Sequence, residues 1–218
     1  MRDSITYTNA TNDGEITMTG KNAIGMIIEG GIATNDTKGK ITISGQEGVA
    51  MYGTAITGAG MAGHIPGKIH SELNNKGTID LADTTTSTPI IGMFTNDADT
   101  DIFTSGTINV GKKSYGIYGA SNKVEMSNGT INVGDDGVGI FAKGTSGTGT
   151  VTLDAGSEIT TSASAKDKEA VGVFTAGTNP VNINDNGSKM DLKDWTFGYV
   201  IKAPGTLTTN GSSTVTLD

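Results

Sequence analysis

The sequence predicts an all-β protein, a right-handed parallel β-helix with loop insertions, and three observations lead to this prediction. Glycine is abundant, with 33 of the 218 residues, and such a composition suits short strands joined by tight turns. A short phrase recurs along the chain with a nearly fixed internal spacing. Within each copy apolar residues alternate with polar ones, which is the pattern of a strand with one buried face.

The repeat reads Gly-x-apolar-x-apolar, a polar turn, and then apolar-Gly-apolar followed by a large residue. Its first glycine and its later glycine (alanine in one copy) are 10 or 11 residues apart in five of the seven complete copies. A constant core with variable inserts is typical of a solenoid, because loops point away from the stack. The copies begin at Gly14, Gly39, Gly77, Gly106, Gly129, Gly149 and Gly187, and a partial copy begins at Gly205.

The first half of the repeat predicts an interior column of apolar side chains. A single coil cannot bury an apolar face, whereas coils stacked at ~4.8 Å can bury one continuously. A β-sandwich would show the same alternation, but it does not explain a nearly identical phrase in successive copies. Aligning the copies places in this column Ile16, Ile41, Ile79, Ile108, Ile131 and Val151.

We expect residues 1–218 to form one β-helical domain cut from a longer secreted protein, because no signal peptide follows Met1. Two stretches break the spacing of the repeat, Gly53–Lys76 and Ala155–Ala170. Both are predicted to be inserted loops that lie outside the coil stack and tolerate deletion, because coils bury only what stacks.

The composition argues against several classes of function. A net charge of −8 makes nucleic acid an unsuitable partner, since phosphate binding needs a basic face. Absence of cysteine excludes disulfides, thiolate metal sites and cysteine nucleophiles. No run of apolar residues is long enough to predict a membrane-spanning helix.

Two short motifs in the first insert resemble cofactor or metal sites. Gly58–Gly63 matches the dinucleotide-binding glycine pattern, but Pro66 follows where that motif needs a helix. The only two histidines, His64 and His70, lie six residues apart with Glu72 nearby. Exposed loop histidines are the simpler interpretation of that pair, because a two-histidine site needs a third ligand. We assign no cofactor and no metal.

Three alternating carboxylates, Asp97, Asp99 and Asp101, have the spacing of some Ca²⁺ loops. An EF-hand loop needs glycine at its sixth position and glutamate at its twelfth, where this chain has Ile102 and Ile108. A solvated turn is therefore the favoured interpretation. A looser Ca²⁺ site remains open, because oxygen ligands on a turn are all that it requires.

Many β-helix proteins cleave acidic polysaccharides with clustered acids and a basic residue in a cleft. The adjacent pair Asp135 and Asp136 stands in Gly-Asp-Asp-Gly, which is typical of a turn. Arg2 is the only arginine, so bidentate recognition of carboxylates is nearly absent. We expect no catalytic residue and no enzymatic activity, although fold alone does not decide function.

The phrase Gly106-Thr-Ile-Asn-Val-Gly, followed by Ser114-Tyr-Gly-Ile-Tyr-Gly, resembles the passenger repeats of large type V autotransporters, most closely the fusobacterial adhesins. This resemblance extends from Gly14 over nearly the whole chain. It implies a β-helical passenger on the bacterial surface, exported through a C-terminal outer-membrane β-barrel that lies outside this sequence. It further implies adhesion to a glycan or protein of host cells or other bacteria, and we expect a monomer.

A purely structural stalk is the alternative function. A stalk would hold a distal binding tip away from the cell, and it would need no binding face of its own. The two classes can be discriminated by the position of the inserts, since inserts that converge on one side favour binding and inserts that are spread out favour a stalk.

A column of large residues that ends each repeat contains the candidate ligand contacts, and it holds five of the eleven aromatics. Strict alternation puts this column on the outer face, where rings would form an apolar contact strip. The competing structural interpretation has the chain bend so that each ring covers the bare glycines or fills a corner. It is the favoured one, because two members are aliphatic. The column consists of Ile27, Tyr52, Phe94, Tyr118, Phe141, Phe174 and Val200.

Overall fold

The computed structural model describes residues 8–57 and 68–217, and in them the chain winds as a right-handed parallel β-helix. Each full coil contributes one strand to each of three parallel sheets, visited in the order sheet 1, sheet 2, sheet 3. Seven full coils and a partial eighth are stacked, so the stack is on the order of 34 Å long at ~4.8 Å per step. The predicted fold class is confirmed. The described residues include no helix that could cross a membrane.

The strands are short, and most have four to six residues. Two of them, β7 (Ile56–Thr57) and β8 (Lys68–Ile69), pair with each other antiparallel outside the three parallel sheets. Sheet 1 contains β1 (Thr8–Asn12), β4 (Gly31–Asn35), β9 (Ser71–Asn75), β12 (Thr100–Thr104), β15 (Lys123–Met126), β18 (Gly149–Asp154), β21 (Val181–Asn186) and β24 (Leu207–Thr209). Sheet 2 contains β2 (Glu15–Met18), β5 (Lys40–Ile43), β10 (Thr78–Leu81), β13 (Thr107–Val110), β16 (Thr130–Val133), β19 (Glu158–Thr161), β22 (Lys189–Leu192) and β25 (Thr214–Leu217). Sheet 3 contains β3 (Ile24–Glu29), β6 (Val49–Thr54), β11 (Ile91–Phe94), β14 (Tyr115–Ala120), β17 (Val138–Gly144), β20 (Ala170–Gly177) and β23 (Thr196–Ile201).

The predicted interior column lies in sheet 2 and is correct for five of its six members. Ile131 pairs with Ile108 in one neighbouring coil and with Ile159 in the other, and all three are completely buried. The assignment of Val151 to this column was wrong, because β18 belongs to sheet 1. Its phrase Val-Thr-Leu-Asp has the same alternation as the sheet 2 strands, which explains the error. In sheet 2, the residue that follows Ile131 in the column is Ile159.

The interior of sheet 1 carries a polar ladder at the corner where the chain turns into sheet 2. The Asn12 side-chain amide donates to Asn35 Oδ1 at 2.8 Å, and the Asn35 amide donates to Asn75 Oδ1 at 2.8 Å. Asn75 donates in turn to Thr104 Oγ1 at 3.3 Å. All four side chains are buried, so the ladder satisfies polar groups that would otherwise be costly inside the stack.

Each strand of sheet 3 has a small residue that breaks the alternation of its side chains, which is glycine in six strands and Ala50 in β6. A Cβ placed on Gly116 would lie 2.6 Å from the Gly139 carbonyl oxygen and 3.0 Å from Val110 Cγ2, so this glycine faces the interior. Its successor Ile117 is completely buried, whereas Tyr115 before it is half-buried. The residue that precedes the glycine therefore points outward, which strict alternation did not predict.

Both inserted loops are shorter than predicted. Within Gly53–Lys76, strand β9 pairs with β4 and β12 inside sheet 1, so residues 71–75 belong to the stack and not to a loop. Within Ala155–Ala170, strand β19 is part of sheet 2, and residues 162–169 form the loop. The repeat phrase did not give these boundaries correctly, because it covers only two of the three strands in each coil and lacks the strand of sheet 1.

Candidate functional site

The outer face of sheet 3 differs in chemistry from the other two outer faces. On sheet 2 the outward positions hold only threonine, asparagine and charged residues, for example Asn109, Asn132 and Lys189. Sheet 1 is similar, although Phe103 and Ile32 interrupt it. On sheet 3 two neighbouring columns are apolar through all seven coils, and we name them together the apolar strip. Contiguous exposed apolar surface of this kind marks contact sites more often than scattered apolar residues do.

One column of the apolar strip is the predicted aromatic column, and the structure places it on the outer face in unbroken register. The rings are half-buried and contact one another, and the structural and the ligand-contact interpretations of this column both stay predictions. The other column is formed by the outward residues that precede the glycines. These are Ile24, Val49, Ile91, Tyr115, Val138, Val171 and Phe197.

Three of the four neighbouring ring pairs of the aromatic column stack along the helix axis, and the fourth pair, Phe94 and Tyr118, is tilted by 49°. Tyr118 and Phe141 have centroids 5.1 Å apart and planes 7° apart, and Phe141 and Phe174 are 5.2 Å and 13° apart. Tyr52 and Phe94 stack in the same way at 5.5 Å. Since each stacked ring covers part of the face of its neighbour, the column presents mainly ring edges to solvent. Burial in this stack raises the pKa of the Tyr118 hydroxyl, and the neighbouring Tyr115 adds to the rise.

The two inserted loops leave the stack on opposite sides of sheet 3, one at the C-terminal ends of its strands and the other at their N-terminal ends. The first begins after Thr54, where sheet 3 turns into sheet 1, and the second precedes Ala170, where sheet 2 turns into sheet 3. Asp97 holds the start of the first loop, because its Oδ2 accepts a hydrogen bond of 2.9 Å from the Ala55 backbone N–H. The points at which the two inserts leave the sheets therefore lie at opposite ends of the sheet 3 strands.

A polar cleft of about 310 Å³ adjoins the apolar strip at Tyr115. Its walls come from three successive coils: the loop that contains Thr85, Thr86 and Ser87, the turn with Lys113 before Tyr115, and the next turn with Asp136. Lys113 and Asp136 adopt the same left-handed backbone conformation, with φ of 56° and 54°. The repeat thus places opposite charges on equivalent turns of adjacent coils.

The alternating carboxylates already have hydrogen-bonding roles. Asp97 also accepts the backbone N–H of Asp99 at 3.0 Å, and Asp101 lies on β12 with its Oδ2 3.4 Å from His70 Nε2. No group of three metal-ligating side chains occurs among the residues that the structure describes. A looser Ca²⁺ site at these aspartates therefore stays a prediction. His64 and the Gly58–Gly63 motif lie outside the described residues.

The Asp135 and Asp136 pair forms the turn between sheets 2 and 3. Asp135 accepts two hydrogen bonds of 2.7 Å from Ser164, one from its hydroxyl and one from its backbone N–H. These bonds lower the pKa of the Asp135 carboxyl and attach the second inserted loop to the preceding coil. The Asp135 carboxylate is thus engaged in holding a loop, as expected for a turn residue.

A buried acid near the C-terminal end of the stack was not identified from the sequence. Asp185 takes an interior position of sheet 1 and accepts a 2.7 Å hydrogen bond from the Tyr199 hydroxyl and one of 2.9 Å from the Ser188 N–H. Burial raises the pKa of the Asp185 carboxyl, but the hydrogen bonds outweigh it and the pKa lies below its usual value. Burial and the same partner raise the pKa of Tyr199.

Comparison with known proteins returned no matching family model, no matching curated protein and no matching solved structure.

Proposed function

We propose that this chain is a non-catalytic binding segment of a bacterial surface adhesin, and that the apolar strip of sheet 3 holds its partner. The observation that carries the proposal is the contrast between one apolar outer face and two polar ones. Seven strands at ~4.8 Å make the strip about 29 Å long. The outer faces of sheets 1 and 2 are mainly polar, so stacking of these coils does not in itself require an apolar outer face.

The partner of the apolar strip is a protein surface. Stacking of a sugar on an aromatic residue uses the ring face, and three of the four neighbouring ring pairs in this column stack face to face at 5.1–5.5 Å. The fourth pair, Phe94 and Tyr118, is tilted by 49° at 5.1 Å. Ring edges and aliphatic side chains such as Val138 and Val171 instead suit apolar protein side chains. Two columns of side chains cover less than the roughly 800 Å² that each partner contributes to a standard stable interface, so the contact is a weak one.

The adhesin class and the extracellular location are supported by the resemblance to autotransporter passenger repeats. Absence of catalysis is supported by the functions of the acids, since Asp135 fastens a loop and Asp97 fastens a turn. A structural stalk is the second candidate, and the observation in its favour is that the inserts leave the stack on opposite sides of sheet 3.

The test is a triple substitution in the apolar strip, Tyr52, Tyr118 and Phe141 each to serine. Its matched control carries three serines on the outer face of sheet 2, at Thr42, Asn109 and Asn132. Binding of each fluorescent protein to cultured epithelial cells and to bacterial cells is measured by flow cytometry, with circular dichroism to verify the fold. We expect the folded strip variant to lose binding and the control to keep it.

Either of two results would contradict the proposal. Equal binding by the strip variant and the unsubstituted protein would remove the strip from adhesion. Failure of the unsubstituted protein to bind either cell type would favour the stalk.

A further inference from the structure

We infer that the polar cleft beside Tyr115 is a binding site for a single neutral pyranose sugar. This inference deepens the proposed function, because it identifies a second chemical group of the partner next to the apolar strip. A cleft of about 310 Å³ lies at the lower end of the roughly 300–1,000 Å³ typical of small-molecule sites, which suits one sugar ring.

Tyr115 supplies the stacking face that the rest of the apolar strip lacks. It stacks on Phe141 of the following coil, with centroids 5.3 Å apart and planes 6° apart. Its opposite face is therefore turned toward the preceding coil, which holds its register neighbour Ile91 and whose loop lines the cleft together with Tyr115. An aromatic face of this kind is the surface on which the apolar C–H face of a pyranose packs.

The polar wall of the cleft is formed by a loop that is hydrogen-bonded to Gln46 of the preceding coil and to itself. Thr84 is buried and its hydroxyl donates to Gln46 Oε1 at 2.5 Å, while the Thr85 backbone N–H donates to the same oxygen at 3.0 Å. The Thr86 hydroxyl donates to the Thr88 carbonyl oxygen at 2.9 Å. Because the loop is ordered before any ligand arrives, binding need not supply the free energy of ordering it.

Hydrogen-bonding groups remain free along the cleft. Within the described part of the chain, neither the Lys113 ammonium nor the Asp136 carboxylate has a hydrogen-bond or ion-pair partner, and the Tyr115 hydroxyl has none. The hydroxyls of Thr85 and Ser87 add donors and acceptors on the opposite wall. This mixture matches the several hydroxyls of a sugar.

The charges at the cleft favour a neutral sugar over an acidic one. Lys113 and Asp136 contribute one charge of each sign, so a carboxylated sugar would gain from the lysine and lose to the aspartate. Because Tyr115 belongs to both the cleft and the apolar strip, a glycosylated protein is a single partner that fills both.

The test is saturation-transfer NMR of the whole chain with the methyl glycosides of glucose, galactose and mannose, and with N-acetylneuraminic acid as the acidic probe. Tyr115→Leu is compared with Tyr118→Leu. These are two half-buried tyrosines of β14 that both stack on Phe141, and only Tyr115 lines the cleft. Asp136→Asn, which keeps a residue that tolerates positive φ, tests the polar wall without touching the stack.

We expect the unsubstituted protein to transfer saturation to at least one neutral glycoside, and Tyr118→Leu to do so equally well. Tyr115→Leu should transfer none. Asp136→Asn should bind the glycoside with an affinity about tenfold or more lower (1.4 kcal/mol per tenfold). The inference is overturned if no neutral glycoside receives saturation, if only the acidic sugar does, or if transfer survives both cleft substitutions. Loss of cell binding in the triple serine variant together with no glycoside binding would overturn the sugar site alone and leave the apolar strip in place.

Discussion

Truncation of Ile131 tests whether the interior column stabilises the stack as a single buried layer. The structure places Ile131 with no exposed surface between Ile108 and Ile159 in the adjacent coils. Ile131→Ala removes three carbon atoms from a site that neighbouring backbones hold open. Truncations of this kind cost about 2–5 kcal/mol, of which the lost transfer energy and the residual cavity are both parts.

Ile16→Ala is the matched control for this substitution, because it makes the same change in the same column. Ile16 lies in the first coil and is only half-buried, so part of its side chain is already in water and its removal leaves no closed cavity. We expect about 1 kcal/mol for Ile16→Ala and at least about 3 kcal/mol for Ile131→Ala.

Urea unfolding followed by far-ultraviolet circular dichroism measures both losses in the free energy of unfolding. A repeat protein can unfold in parts, so the urea dependence of each variant must match that of the unsubstituted protein before the values are compared. Equal losses at the two positions would show that burial does not rise toward the middle of the column, and the assigned register would then be wrong.

Three further predictions concern other parts of the fold. Asn35→Leu should lower the free energy of unfolding by about 2–3 kcal/mol, because it removes the partner of the Asn12 side-chain amide and of Asn75 Oδ1 inside the stack. Thr34→Leu on the outer face is its control. Equal unfolding free energies for the two variants would refute a stabilising ladder. The folded-state pKa of Asp185 lies below its usual value of 3.8, so the Asp185 carboxylate should stabilise the fold fully at pH 6 and lose this effect as the pH falls through the folded-state pKa. In urea titrations the difference in unfolding free energy between the unsubstituted protein and Asp185→Asn should therefore shrink from pH 6 to pH 3. A constant difference would contradict the assignment. Replacement of residues 162–169 by a Gly-Ser linker should preserve the β-rich circular dichroism signal, with only a small loss of stability from the bonds between Ser164 and Asp135; collapse of that signal would place the loop in the stack.

Sheets 2 and 3 could be predicted from the sequence because their interior positions are apolar in nearly every coil. Ile108 and Ile131 sit in nearly identical phrases, so the pairing register follows directly from alignment of the copies. Sheet 1 could not be recognised in this way. Its early coils turn Asn35 and Asn75 inward, and buried asparagines that satisfy one another across coils look like loop residues in a single sequence.

The break in alternation at the glycines and the cleft at Tyr115 depend on contacts between coils, and for that reason the repeat pattern did not contain them. Alternation placed Phe141 correctly on the outer face but placed Val138 on the wrong side, since the alternation breaks at Gly139. The cleft joins residues of three coils that are far apart along the chain, such as Thr85 and Asp136. Only the stacking of the coils brings them together.

The most direct measurement of the central claim blocks the apolar strip without altering it. The chain has no cysteine, so a single introduced cysteine can be labelled with a long polyethylene glycol chain at one chosen position. Lys143 is exposed on β17 two residues after Phe141 on the same face, and Asn132 is exposed on sheet 2. Adhesion to cells is compared for Lys143→Cys and Asn132→Cys before and after labelling. We expect both unlabelled variants to adhere, and only the label at position 143 to abolish adhesion. Undiminished adhesion with the label at position 143, or an equal loss at both positions, would contradict the assignment of the strip as the binding face.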